Sequence, residues 1–169
     1  RNSITISTPD KALNHIFNHQ LFSQILCGRI FSRTGFYQNS GAFGFRDQLQ
    51  DACACMLQAP DIAMRLIARA CTVQFPEGDV LHWWHSLPDG VIKGVRTKIS
   101  DDLVFLPYTV CEFIEKTSNK GFLAYNIALC EGIEITLWDN MENKTLDSET
   151  YMTIEHSLYC SISDSFIDR

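Results

Sequence analysis

"TPDKALNHIFNHQLFSQILCGRIFSR", residues 8–33, is the stretch on which the fold turns. Leu13, Ile16, Phe17, Leu21, Ile25 and Ile30 recur at helical spacing and make one apolar face. Thr8 suits an N-cap, and Pro9 suits the first helical position, where its missing N–H costs nothing. The spacing predicts one long helix over about residues 9–32.

The same pattern extends along the chain. After the loop "TGFYQNSGAFG" a helix is expected over about 46–58, and Pro60 with Asp61 opens another in "PDIAMRLIARACTVQF". "SDDLVFLPYTVCEFIEKTSN" returns to helix, with Ser100 as cap, acids favouring the dipole in the first turn, and a kink expected at Pro107. A short helix near 121–129 and a last one over about 148–167 follow, with "WDNMENKTLDSE" read as a polar loop. The fold class on this reading is all-α, built of helix pairs joined by loops. Two loops, 34–45 and 76–100, are long and rich in aromatic and polar residues, and loops of that length in a compact domain tend to be functional.

Bulk properties narrow the function classes. The 169 residues suffice for one domain with a sizeable core. The net charge is −6 and no basic cluster stands out, which argues against nucleic acid as the main partner. No apolar run approaches the ~18 residues of a membrane span. The start, "RNSITISTPD", is polar and shows no secretory leader, so a cytoplasmic location is expected. The seven cysteines are an odd number and sit mostly in helical patterns, as reduced thiols used as small hydrophobes would.

The chemistry-bearing residues fall in the two loops and beside them. "GAFGFRDQLQDACACML", residues 41–57, sets "RDQLQD" between a glycine-rich turn and an apolar helix. Asp47 and Gln50 are three apart, as are Gln48 and Asp51, while Arg46 and Gln50 are four apart, so they share helical faces. They suit either a sugar-binding floor or an N-terminal turn whose acids favour the helix dipole. "EGDVLHWWHSLPDGVIKGVRTKISDD", residues 77–102, groups His82, Trp83, Trp84 and His85. The histidines lack a third metal ligand at convincing spacing, and Cys53 and Cys55 diverge on their helix, so no metal is expected. One tryptophan fits a core. Two adjacent ones in a polar setting suit the C–H faces of a sugar, with carboxylates, amides and guanidinium groups for its hydroxyls. Asp101 and Asp102 are adjacent, so they diverge on a helix and fit poorly as the acid and base of a hydrolase.

Taken in order, "TPDKALNHIFN", "FYQNSGAFGFRDQLQDACA", "QFPEGDVLHWWH" and "GVRTKISDDLVFLPY" resemble the catalytic domain of glycoside hydrolase family 94, the cellobiose phosphorylase family. "GAFGFRDQLQD" with "HWWH" is most similar to the branch of the cyclic β-1,2-glucan synthases and 1,2-β-oligoglucan phosphorylases. The resemblance implies part, about half, of an (α/α)₆ barrel with its site at one end of paired helices. It implies an inverting phosphorolysis of β-glucans to sugar 1-phosphate. Phosphate attacks the anomeric carbon and a single aspartic acid protonates the leaving oxygen, since an anionic nucleophile needs no base. Carried over to this sequence, Arg46, Asp47, Gln50 and Asp51 would bind the sugar. His82, Trp83, His85, Arg96, Asp101 and Asp102 would line or buttress the site. No cofactor is implied beyond inorganic phosphate as co-substrate of the whole enzyme.

The departures matter too. The family's acid lies in a "WND" motif that this chain lacks. "LWDN", Leu137 to Asn140, holds the letters in another order, and Asp139 is not taken as the acid. Phe105 and Ser86 stand where the family has tryptophan and proline. Residues 1–169 are therefore expected to be one partial catalytic domain that stops before its acid and is inactive alone. A half-barrel should leave apolar surface at its edges, from residues such as Leu57, Ile62, Leu66, Ile67, Cys71, Phe105, Val110, Phe113 and Ile114, which a homodimer would cover. The competing readings are a carbohydrate-binding remnant without catalysis and another (α/α)₆-barrel glycoside hydrolase.

Overall fold

The computed structural model describes residues 4–31, 41–86, 92–97, 99–130, 142–144, 146–154 and 157–158. Asp139 with "LWDN", most of the first loop and the chain beyond 158 lie outside them. The chain begins with a helical rod over residues 11–31, close to expectation. It alternates α-helix α1 (Lys11–His15), a π-helical stretch Ile16–Leu21, α2 (Phe22–Gln24) and a second π-helical stretch Ile25–Phe31. The cap is Asp10, not Thr8: its carboxylate accepts from the Ala12 and Leu13 N–H groups at 2.8 and 3.1 Å. Pro9 therefore precedes the helix. Thr8 is engaged with Asn14, whose amide exchanges two hydrogen bonds with the Thr8 backbone, and Asn18 does the same for Ile6. Spaced four apart, the two asparagines bind the extended N-terminal segment along one helix face.

Three helices carry the core: α3 (Phe45–Cys55), α4 (Pro60–Cys71) and α5 (Ser100–Thr117). Phe45, Leu49, Ala52 and Cys55 of α3 meet Ala63, Ile67 and Ala70 of α4 and Leu106, Val110 and Phe113 of α5. Pro60 opens α4, where its ring suits the first turn. Ser100 is the first helical residue of α5, not its cap. Ile99 holds the cap position, without a side-chain bond, and Asp101 accepts from the Asp102 N–H instead. The helix runs through Pro107 and ends at Ser118, whose φ of 57° is left-handed.

The chain is helix-rich but not all-α. A four-stranded antiparallel sheet has the order β1-β2-β3-β5, made of Phe43–Gly44, Val80–Ser86, Ile92–Thr97 and Glu142–Lys144. A second antiparallel pair joins β4 (Asn126–Cys130) to β6 (Leu146–Thr153). The helix expected near 121–129 is a 3₁₀ turn, Lys120–Ala124, followed by β4. The helix expected from 148 is β6 as far as Thr153, and strand pairing there overrides the helical reading.

The apolar edge also differs from expectation. Leu66, Ile67, Cys71, Val110 and Phe113 are buried, Ile62, Phe105 and Ile114 are partly buried, and Leu57 alone of that set is exposed. The rod contributes exposed apolar side chains of its own, Leu13, Ile16, Leu21 and Phe31, and others stand apart from it at Val104, Tyr108 and Tyr125. Between the rod and α3 runs a groove of about 310 Å³, lined by Phe17, Leu21, Phe22, Ile25 and Leu57 among others. None of the residues singled out for sugar chemistry lines it. Among the described residues no helix is long and apolar enough to cross a membrane. Cys27, Cys53, Cys55, Cys71 and Cys111 are free thiols. Burial pushes the Cys71 thiol up to about 12 and Cys55 to about 11, so both behave as apolar filler.

Candidate functional site

The site begins at the start of β2. The turn "FPEGD" closes through Gly78, at φ 103°, with the Phe75 N–H donating to the Asp79 carbonyl at 2.8 Å. β2 then pairs with β1 (Phe43 opposite Trp84, Gly44 opposite Trp83), which sets the first residues of α3 beside the middle of β2. On its other side β2 pairs with β3, and the register steps from Leu81–Arg96 to Trp83–Val95. His82 is the extra residue of this β-bulge. Such a bulge re-aims one side chain without moving its neighbours off the core. Leu81 and Trp84 are both buried, and Trp84 stacks on Phe43 at 5.5 Å between ring centroids. Gly94 makes the pairing possible: a Cβ there would lie 2.7 Å from both the Trp83 carbonyl oxygen and the Trp84 Cβ.

The re-aimed His82 meets the first turn of α5. Its Nδ1 lies 2.7 Å from Oδ2 of Asp102, a side chain with no solvent exposure. The carboxylate can only be served by an Nδ1 proton, so Nε2 is the ring atom that faces other partners. The Asp102 hydrogen bond pushes the His82 pKa upward. Burial opposes this, and the charges of Asp102, Asp101 and Asp47 add to it. The other carboxylate oxygen, Asp102 Oδ1, has no hydrogen-bond partner among the described residues.

Around this pair the starts of α3 and α5 are tied together. Arg46 Nη1 bonds Asp101 Oδ2 at 3.1 Å, with both side chains about half exposed, and its guanidinium lies 5.8 Å from the Phe105 ring centroid. Asp47 and Asp51 lie one turn apart on α3 and share a partner the sequence reading missed. Arg29 of the rod reaches Asp51 Oδ1 through Nε at 3.1 Å and Asp47 Oδ1 through Nη2 at 3.9 Å. Nothing in the periodicity of the rod marks Arg29, because its partners are 18 and 22 residues away.

The ten candidates thus divide. Arg46, Asp47, His82, Asp101 and Asp102 form one polar cluster, with Asp51 behind it against Arg29. Trp83 is partly exposed and stands edge-on to His85 at 5.5 Å. Gln50 is exposed on α3, and the buried amide of that turn is Gln48, which donates to the Gly44 carbonyl at 3.3 Å. Arg96 belongs elsewhere. It forks onto Asp79 at 2.5 and 2.6 Å, reaches Glu77 at 3.0 Å, and lies 3.8 Å from the Phe75 ring centroid. Burial works against its charge, but the Asp79 and Glu77 contacts outweigh that and raise its pKa. With 9% of its side chain exposed, Arg96 clamps the base of the hairpin. Among the described residues, no group of three or more His, Cys, Asp or Glu is placed to hold a metal ion.

Comparison with known proteins bears on this arrangement. The family model described as "Glycosyl hydrolase 94 superfamily, catalytic domain" matches residues 1–164. Over 129 residues the chain is 46% identical to "Cyclic beta-(1,2)-glucan synthase NdvB" of Rhizobium meliloti (strain 1021), covering 76% of this chain and 4% of that protein. It is also 29% identical over 139 residues to "Solabiose phosphorylase" of Paenibacillus borealis, covering 82% of this chain and 16% of that one. The chain thus spans a small fraction of the length of either relative.

Proposed function

The chain belongs to the glycosyl hydrolase 94 superfamily, on the branch of the cyclic glucan synthase, and from that premise we propose that it supplies the sugar-binding half of a β-glucan-processing site. The reaction is an inverting phosphorolysis of a β-1,2-linked glucan to a sugar 1-phosphate, or its reversal in synthesis. Inorganic phosphate is co-substrate in the whole protein, and the general acid comes from chain beyond Arg169. In this reading residues 1–169 make part of an (α/α)₆ barrel. The exposed apolar side chains of the rod meet further chain or a second copy.

One observation carries the proposal. A basic side chain, three carboxylates and an oriented imidazole converge where α3, β2 and α5 meet: Arg46 on Asp101, His82 on Asp102, and Asp47 within range of His82. Neutral sugars are bound by just such mixed donors and acceptors, each meeting one or two hydroxyls. Arg46 and Asp101 are half exposed and held by each other, so their remaining donor and acceptor sites are oriented and open to a ligand. His82 offers Nε2 beside them, and Trp83 supplies an apolar edge. This chain's share of the work is to bind and orient the sugar.

The test is phosphorolysis by the whole protein. With β-1,2-oligoglucan and phosphate it should release sugar 1-phosphate, and Arg46→Ala should abolish turnover while leaving the thermal transition in place. Near-normal kinetics in that variant would reduce the Arg46–Asp101 tie to a helix-end ion pair.

A further inference from the structure

We propose that Arg29 is a positioning residue of the candidate site, acting through Asp51; the inference rests on the sugar-binding reading of that cluster. Asp47 and Asp51 are one helical turn apart on α3, so two negative charges face the same way and repel. Arg29 spans them, through Nε to Asp51 at 3.1 Å and Nη2 to Asp47 at 3.9 Å.

The two acids are not equally placed. The Asp51 side chain is 15% exposed while Asp47 is half exposed, so Asp51 depends more on its partner for orientation. A planar guanidinium fixes direction as well as charge, because Nε and Nη2 project along one edge. Arg29 comes from the rod, not from the three core helices. The rod is thereby joined to the site by a directional bond and not only by the packing of Phe22, Ile25 and Ile30 on the core. Arg29 itself is less than half exposed and its charge is directed at the two acids, so its effect on a sugar passes through them.

A double-mutant cycle in the whole protein separates this role from a structural one. The variants are Arg29→Gln, Asp51→Asn and the pair, with kcat and KM for β-1,2-oligoglucan measured beside the thermal transition. Arg29→Gln is expected to raise KM about fivefold with kcat little changed, the scale of a half-exposed ion pair. Arg29→Lys, which keeps the charge but not the fork, should fall between. It takes the place of Arg29→Gln in the cycle if the latter fails to fold. The double variant should be no worse than Asp51→Asn alone. Additive losses, or an unchanged KM in Arg29→Gln, would overturn the role. If Arg46→Ala leaves KM and kcat unchanged, the sugar-binding reading of the cluster fails and takes this inference with it, whereas an unchanged Asp51→Asn beside an impaired Arg46→Ala overturns the inference alone. An impaired Asp51→Asn with additive Arg29→Gln overturns the inference alone.

Discussion

Asp102, wholly buried, holds the imidazole of His82 through a 2.7 Å contact at Nδ1, and the β-bulge at His82 is what brings the two together. The pair should show itself in titration. His82 should titrate above the ordinary value of about 6.5, and Asp102→Asn should bring the midpoint down. Imidazole chemical shifts followed from pH 5 to 9 give both numbers. A histidine whose pKa is raised by folding stabilises fully below its unfolded pKa, and that contribution is lost as pH rises through the folded value. The transition temperature of the native protein should therefore fall across that interval relative to His82→Gln, which lacks the effect.

Arg46 and Arg96 were both site candidates on sequence, and the structure predicts opposite behaviour for them. Arg96 and Asp79 are nearly buried, so Arg96→Gln should cost about 3 kcal/mol through the stranded carboxylate. Arg46→Ala breaks a half-exposed tie and should cost under about 1 kcal/mol. Urea unfolding measures the first difference. Glucan binding should reverse the order, with Arg46→Ala the more damaging among folded molecules.

The two adjacent tryptophans divide in the same way. Trp84 is 1% exposed and stacked on Phe43, so Trp84→Ala should destabilise by about 3–5 kcal/mol. Trp83→Ala should leave most of the stability and weaken glucan binding. Quenching of tryptophan fluorescence by β-1,2-oligoglucan should vanish in Trp83→Ala.

Gly94→Ala tests the hairpin. The new methyl would press on the Trp83 carbonyl and the Trp84 Cβ, both part of the strand pairing. Relief requires the strands to part, at about 1–3 kcal/mol by the measure of an overpacked core. Chemical denaturation checks the loss, and the His82 titration should move back toward its ordinary value as the bulge relaxes.

The four helical segments through Thr117 were legible because each has an apolar face with a long period, and Pro60 marks its boundary. The strands were not. In "VLHWWHS" the bulge at His82 breaks the alternation that betrays a strand, so two buried residues, Leu81 and Trp84, are three apart as on a helix. β6 pairs with β4 across a long stretch of chain, and no local pattern records that. Within the site, residue types were legible and partners were not. Arg96 looked like a ligand because Asp79, seventeen residues earlier, does not announce itself as its fork. Arg29 was overlooked for the same reason.

The bonds that define the cluster have an implication for how the molecule folds. Arg46 and Asp101 close a loop of 55 residues, His82 and Asp102 one of 20, and Arg29 and Asp51 one of 22. Helical turns form within themselves in about a microsecond, whereas such closures wait until distant elements have docked. A chain caught part-way would hold its helices and lack the cluster altogether. Circular dichroism would then recover before the His82–Asp102 contact, making that histidine's chemical shift a late clock for native assembly.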